Sequence, residues 1–220
     1  MFTFFVIWDS KVSLEEQRMA KVAITEAVAL FPNCDFIIIG DNSIENCFSA
    51  DSLIKNASNG TQVNAVMMAE DIEEAIDNLV DEDVYLFTIL FTSKRMYVDD
   101  MGAHMNLHSV HTGYVVLESF ASFRELSTEE KMYCMNHSVC YELGHLFGVA
   151  ETRISKNGGV MCSCDDKSCC MYNASTMEEL IEQSRTEGRG ELRFCPKCRK
   201  DLFSVMPPKE ECLPSKIRIV

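Results

Sequence analysis

Apolar residues along this chain fall into two patterns, short unbroken runs and longer stretches with helical periodicity. The runs at 1–9 (MFTFFVIWD), 35–40 (DFIIIG), 84–92 (VYLFTILFT) and 113–120 (GYVVLESF) are bounded by turn formers and predict buried strands. Ser13 with Glu16 forms a capping box, and Leu14, Met19, Val22, Val28 and Leu30 then suit an amphipathic helix that Pro32 ends. Ile72, Ile76 and Leu79 share one face of a helix over roughly 69–80. Ser127 with Glu130 caps a helix that runs to about Phe147, where Gly148 is free to take the positive φ that ends a helix. Ser175 with Glu178 caps a further helix to about 185. Residues 41–64 are polar, contain Asn59-Gly60 and read as a loop region.

Strands alternating with helices over the first two-thirds predict an α/β or α+β sheet. After Gly148 the composition shifts. Residues 151–174 are rich in Gly, Cys, Ser and Asp, and residues 206–220, with Pro207, Pro208 and Pro214, read as an extended tail.

At 220 residues and 47% hydrophobic content the chain can build one sizeable core or two lobes around a cleft. The opening run has no basic flank and is broken by Asp9, and the run from Val84 to Phe91 is far too short to span a bilayer. The expected location is the cytoplasm or nucleus. Eleven cysteines, an odd number clustered in Cys-x-x-Cys style, suggest metal binding rather than disulfides in a reducing compartment. A net charge of −14 works against wrapping nucleic acid through phosphates and favours basic partners, besides its plain role in solubility.

Two constellations carry chemistry. The first is Tyr141-Glu142-Leu143-Gly144-His145-Leu146-Phe147-Gly148. His-Glu-x-x-His on a helix grips one zinc between histidines a turn apart, and its glutamate serves as general base. Glu142 and His145 suit that work, but Tyr141 stands where the first histidine belongs. A phenol, with a reference pKa of about 10, must lose its proton before it binds a metal strongly. The plainer reading makes Tyr141 a packed aromatic and His145 a hydrogen-bonded core histidine.

The second constellation is Cys164-x4-Cys169-x-Met171, followed after 25 intervening residues by Cys195-Pro196-Lys197-Cys198. Two cysteine pairs at these spacings can close a tetrahedral four-cysteine zinc site. Cys162 and Cys170 are near enough to exchange roles with Cys164 and Cys169.

Together these residues resemble the archaemetzincins, metzincin-type zinc peptidases whose pattern is HExxHxxGxxH, then Cys-x4-Cys-x-Met, then Cys-x-x-Cys. The resemblance covers about residues 80–203. Glu142, His145 and Gly148 match its first part, Cys164, Cys169 and Met171 its second, and Cys195 and Cys198 its third. It implies an α+β, metzincin-like fold with a three-layer α/β-type N-terminal lobe over 1–148 that includes the motif helix at about 127–147. It also implies a small zinc-stapled lobe over 149–205, with Met171 as the Met-turn residue beneath the metal, before the tail at 206–220.

The departures are specific. Tyr141 replaces the first ligand histidine, and Glu151 stands in the place of the third. The cysteine that should follow the third ligand is displaced by about 12 residues, from Thr152 to Cys164. Catalytic ligands are changed while the four structural cysteines are complete. The expectation is a pseudoenzyme with one structural zinc that binds a basic macromolecular partner, such as a ribosomal or other ribonucleoprotein particle. The alternative is an active, aminopeptidase-like metallopeptidase with a Tyr141/His145/Glu151 ligand set and Glu142 as base.

Other candidates are simpler. His104, His108 and His111 would line one helical face, but Gly102 and Gly113 argue for a loop with polar surface histidines. His137 lies one turn before Tyr141, yet two helical turns span about 11 Å and keep it from sharing an ion with His145. Cys140 reads as a small buried residue rather than a nucleophile.

Overall fold

A computed structural model describes residues 2–31, 36–39, 54–55, 57–58, 60–77, 86–100, 103–107, 109–112, 114–150, 153–154, 160–161, 163–174, 176–184, 193–205 and 217–219. The elements, in order, are β1 (Phe2–Trp8), α1 (Leu14–Ala29), β2 (Phe36–Ile39), β3 (Gln62–Asn64), α2 (Ala65–Asp77), β4 (Leu86–Thr92), β5 (Arg95–Asp100), β6 (Ala103–Leu107), β7 (Ser109–Thr112) and β8 (Val115–Ser119). A 3-10 turn (Phe120–Phe123), α3 (Thr128–Leu146), β9 (Arg153–Ile154), β10 (Val160–Met161), α4 (Met177–Ser184), α5 (Pro196–Val205) and β11 (Ile217–Ile219) follow.

The chain divides into two compact units. The first comprises Met1–Arg18, Cys34–Arg124 and Lys216–Val220, and the second Met19–Asn33 and Glu125–Ser215. Helix α3 clusters with the cysteine-rich residues after it, and α1 passes to the second unit at Met19.

The first unit is built on a six-stranded sheet in the order β11-β2-β1-β4-β8-β7. All its neighbours are parallel except β7, which runs antiparallel to β8. A parallel sheet covered on both faces is apolar on both, which is why its strands read as unbroken hydrophobic runs. The registers Val6–Ile89 and Ile89–Val116 put one set of residues on one face; Ile7–Leu90 and Leu90–Leu117 put the alternate set on the other. The first face stacks Phe4 on Phe87 and Trp8 on Phe91, with ring centroids 5.4 and 5.9 Å apart. On the second face Ile7, Leu90, Val115 and Leu117 pack with Met68, Ala69 and Ile72 of α2 in one core. Each large side chain buried there contributes roughly 1.5–3 kcal/mol of transfer free energy.

Several boundaries differ from the sequence reading for local reasons. Helix α2 starts at Ala65 rather than 69, because the Asn64 side chain accepts from the backbone of Val66 and Met67 at 3.1 and 3.2 Å. The segment read as loop up to residue 64 contains β3, which pairs with β5 in a second sheet of order β3-β5-β6. His104 lies on β6 and His111 on β7, in different sheets, so neither the helical face nor the loop forms; His108 lies outside the described residues. In α1 the Ser13–Glu16 capping box is present, but Leu14 is 72% and Val22 42% exposed. The buried stripe is Met19, Ala20, Ala23, Ile24, Ala27 and Val28, with alanines that a search for large apolar residues passes over. Thr176 caps α4, its Oγ1 accepting from the Glu179 backbone at 3.1 Å, while Ser175 lies outside the described residues. The proline-rich tail ends in β11, parallel to β2 at the sheet edge. Between residues 152 and 163, β9 and β10 pair as an antiparallel ribbon.

Candidate metal centre and motif helix

The second unit is organised around α3. Its start is fixed by the capping box: Ser127 Oγ accepts from the Glu130 backbone at 3.3 Å, and Glu130 Oε2 accepts from the Ser127 backbone at 3.0 Å. Its end is a Schellman motif. Gly148 donates to the His145 carbonyl and Val149 to the Gly144 carbonyl, both at 2.8 Å, while Gly148 takes φ 75°. Only a residue without Cβ accepts that φ freely, so Gly148 turns the chain directly after the motif. From Cys134 to Cys140, and again from Glu142 to His145, every residue is buried, as expected of a helix enclosed nearly all round.

One face of this helix carries four rings at i, i+4 spacing. Tyr133 stacks on His137 at 6.3 Å and His137 on Tyr141 at 6.4 Å. Tyr141 then meets His145 edge-on, with centroids 4.5 Å apart and planes at 78°. The ring of Tyr141 thus occupies the space beside His145 that a second ligating imidazole would fill. Glu142, one residue on, is 4% exposed. Glu151 and Thr152 lie outside the described residues. Of the two ligand positions on this helix, Tyr141 holds the first and the imidazole of His145 the second.

Beneath the helix lies Met171, fully buried. A Cβ placed on Gly144 would overlap the Met171 sulfur and come within 3.0 Å of its terminal methyl. The sequence did not single out Gly144; its signal was a glycine in mid-helix, which costs helix stability and implies a close neighbour. Met171 is held by its loop: its carbonyl accepts from the Cys164 backbone at 2.8 Å, and Tyr172 donates to the Cys169 carbonyl at 2.9 Å.

That loop leads into the four-cysteine cluster. The sulfurs of Cys164, Cys169, Cys195 and Cys198, all buried, lie within 4.8 Å of one another. Cys164 and Cys195 are 3.5 Å apart and Cys169 and Cys198 3.4 Å, far beyond the roughly 2.05 Å of a disulfide. Four thiolates about 2.3 Å from one ion stand about 3.8 Å apart, so the set fits a tetrahedral metal with minor adjustment. Backbone N–H groups already point at the sulfurs. Asp166 donates to Cys164 at 3.4 Å, Cys195 to Cys169 at 3.3 Å and Cys198 to Cys195 at 3.4 Å. The second pair sits on the first turn of α5, with Pro196 at the position where a missing N–H costs nothing. Hydrogen bonds from Cys170 and then Cys198 hold the Cys169 thiol down at about 2, against the opposing effect of burial.

The remaining cysteines separate from the cluster. Cys170 hydrogen-bonds Cys169 on one side and Cys140 of α3 on the other, and burial pushes its thiol far up. It ties the loop carrying Cys169 to the helix and is not one of the four gathered sulfurs. Cys162 lies outside the described residues. Burial, aided by the charge of Glu130, pushes the Cys134 thiol up to about 12. Among the described residues no helix is long and apolar enough to cross a membrane.

The described residues thus combine a mixed sheet, a long helix ending in a glycine turn with a methionine packed against it, and a four-cysteine cluster. Comparison with solved structures makes this more specific. The archaemetzincin of Methanopyrus kandleri aligns with a TM-score of 0.58 at 16% identity, over 94% of this chain and 95% of that one. The archaemetzincin of Archaeoglobus fulgidus, complexed with malonate, aligns with a TM-score of 0.53 at 12% identity, over 91% and 99%. The fold of this protein is archaemetzincin-like. No family model and no curated protein matches the sequence.

Proposed function

We propose that this protein is a pseudoenzyme on the archaemetzincin fold, which keeps one structural zinc and acts by binding a basic macromolecular partner. The observation that carries this reading is the packing of Tyr141 against His145. An open catalytic zinc site needs three good protein ligands, and the position one turn before His145 holds a packed aromatic instead. Cys164, Cys169, Cys195 and Cys198 would hold the structural ion, whose role is to fix the small lobe. Glu142 is then a general base without a metal-bound water to activate. The alternative is an active zinc metallopeptidase in which Tyr141, His145 and Glu151 hold the ion. It is favoured by the retention of Glu142 and His145, both buried on the motif helix.

A peptide-library cleavage assay separates the two. The pseudoenzyme reading expects no cleavage by wild type above the level of Glu142→Gln. Turnover by wild type that Glu142→Gln abolishes establishes the alternative. The partner is argued from the net charge of −14, with ribosomal or other ribonucleoprotein particles as the candidate class. Co-sedimentation with ribosomes at low salt, lost at high salt, is expected, since exposed charges are screened as ionic strength rises. No association at low salt counts against that partner.

A further inference from the structure

The first unit contains a basic pocket unrelated to the motif helix. From β1 the chain runs through α1 to β2 on one side, while β4 lies on the other side of β1. The carboxyl ends of β1 and β4 therefore form a topological switch point, where open parallel sheets place their ligand crevices. A cavity of about 410 Å³ opens there. Its wall is formed by the residues after β1, by Lys94 after β4, and by the segment before β3.

Among the described residues its charged lining is Asp9, Lys11, Lys55 and Lys94. Three of the chain's 20 cationic side chains thus converge in a protein of net charge −14. Asp9 is 4% exposed and committed to the wall. Its Oδ2 accepts from Thr92 Oγ1 at 2.8 Å, the Ser93 backbone at 2.7 Å and Ser93 Oγ at 2.9 Å, and its Oδ1 accepts from the Lys11 backbone at 2.8 Å. The three bonds from Thr92 and Ser93 tie the loop after β1 to the end of β4 and the residue after it. Lys94 is positioned by donating to Ser58 Oγ at 2.8 Å and the Gly60 carbonyl at 3.3 Å, which leaves one of its three protons for a ligand. Lys11 and Lys55 form no ion pair among the described residues.

We propose that this pocket binds a small phosphate-bearing anion. Three lysines lining one cavity match a dianion, and lysine serves phosphate as a compact point charge. No arginine is among the described lining residues to favour a planar carboxylate. Among the described lining residues Ile54 is the one apolar side chain and none is aromatic, so none of them would stack on a nucleobase. The ligand is free phosphate or the phosphate ester of a small polyol.

Isothermal titration with inorganic phosphate and, separately, with glucose 6-phosphate tests this, each against chloride at matched ionic strength. Saturable binding by the phosphate alone assigns the site to the free ion; binding by the ester alone, or much tighter binding by the ester, assigns it to the ester. Lys11→Met and Lys55→Met, both at exposed positions, should each weaken binding by roughly tenfold, the value of one charge-assisted hydrogen bond. Binding of neither probe, equal response to chloride, or binding unchanged in both variants overturns the proposal.

Discussion

Tyr141 meets His145 edge-on, with ring centroids 4.5 Å apart on one face of the buried helix α3. In a His-Glu-x-x-His helix that face would present two imidazoles to one ion. Here an aromatic column running from Tyr133 through His137 and Tyr141 to His145 occupies it. Restoring the missing ligand is therefore informative. Tyr141→His would complete a pair of histidines one turn apart, and in sequence Glu151 stands three residues past Gly148, where the pattern places its third ligand. The expected outcome is one additional equivalent of zinc over wild type, read by elemental analysis of the purified variant. No gain would show that the remaining geometry, rather than residue 141, excludes the metal.

Gly144 and Met171 predict a different response. Alanine normally favours a helix interior over glycine by about 1 kcal/mol. At Gly144 the added methyl overlaps the Met171 sulfur, and overpacking costs roughly 1–3 kcal/mol. Gly144→Ala is expected to lower the denaturation midpoint, and Gly144→Ala with Met171→Ala to recover part of the loss relative to Met171→Ala alone. A Gly144→Ala variant more stable than wild type would show that the methionine yields freely.

Cys134 sets a pH dependence. Its folded thiol is raised to about 12, whereas an unfolded thiol ionises near 8.5. Between those values the unfolded state has lost the proton and the folded state keeps it, so the contribution is complete below about 8.5 and is lost as pH rises towards 12. Across that window the loss amounts to at most about 5 kcal/mol. Urea denaturation at pH 8 and pH 10.5 should show wild type losing more stability than Cys134→Ala. Equal losses would contradict the burial argument.

Much of the site was legible in the sequence because its signals are local. Ser127 with Glu130 and Gly148 bracket α3 within a few residues of each end, and the cysteine spacings name the four sulfurs that the fold gathers. The strands that announce themselves as apolar runs, β1, β2, β4 and β8, are those of the parallel sheet. What escaped depends on distant partners. The β5–β6 hairpin is too polar at Asp99 and Asp100 to read as buried, and is a strand pair because β3 and its own two arms supply the ladder. The tail strand β11 exists because β2 offers an edge some 180 residues earlier in the chain. The close approach of Gly144 to Met171, and the link from Cys140 through Cys170 to the loop carrying Cys169, are tertiary contacts that no spacing encodes.

The central claim is that one metal, held by cysteines, is what this chain retains of its fold's chemistry. Zinc stoichiometry by elemental analysis, on wild type, on Cys195→Ser with Cys198→Ser, and on His145→Ala, tests it most directly. The account predicts one zinc per wild-type chain, lost in the double cysteine variant and kept in His145→Ala. Two zincs per chain, with one lost on His145→Ala, would contradict it.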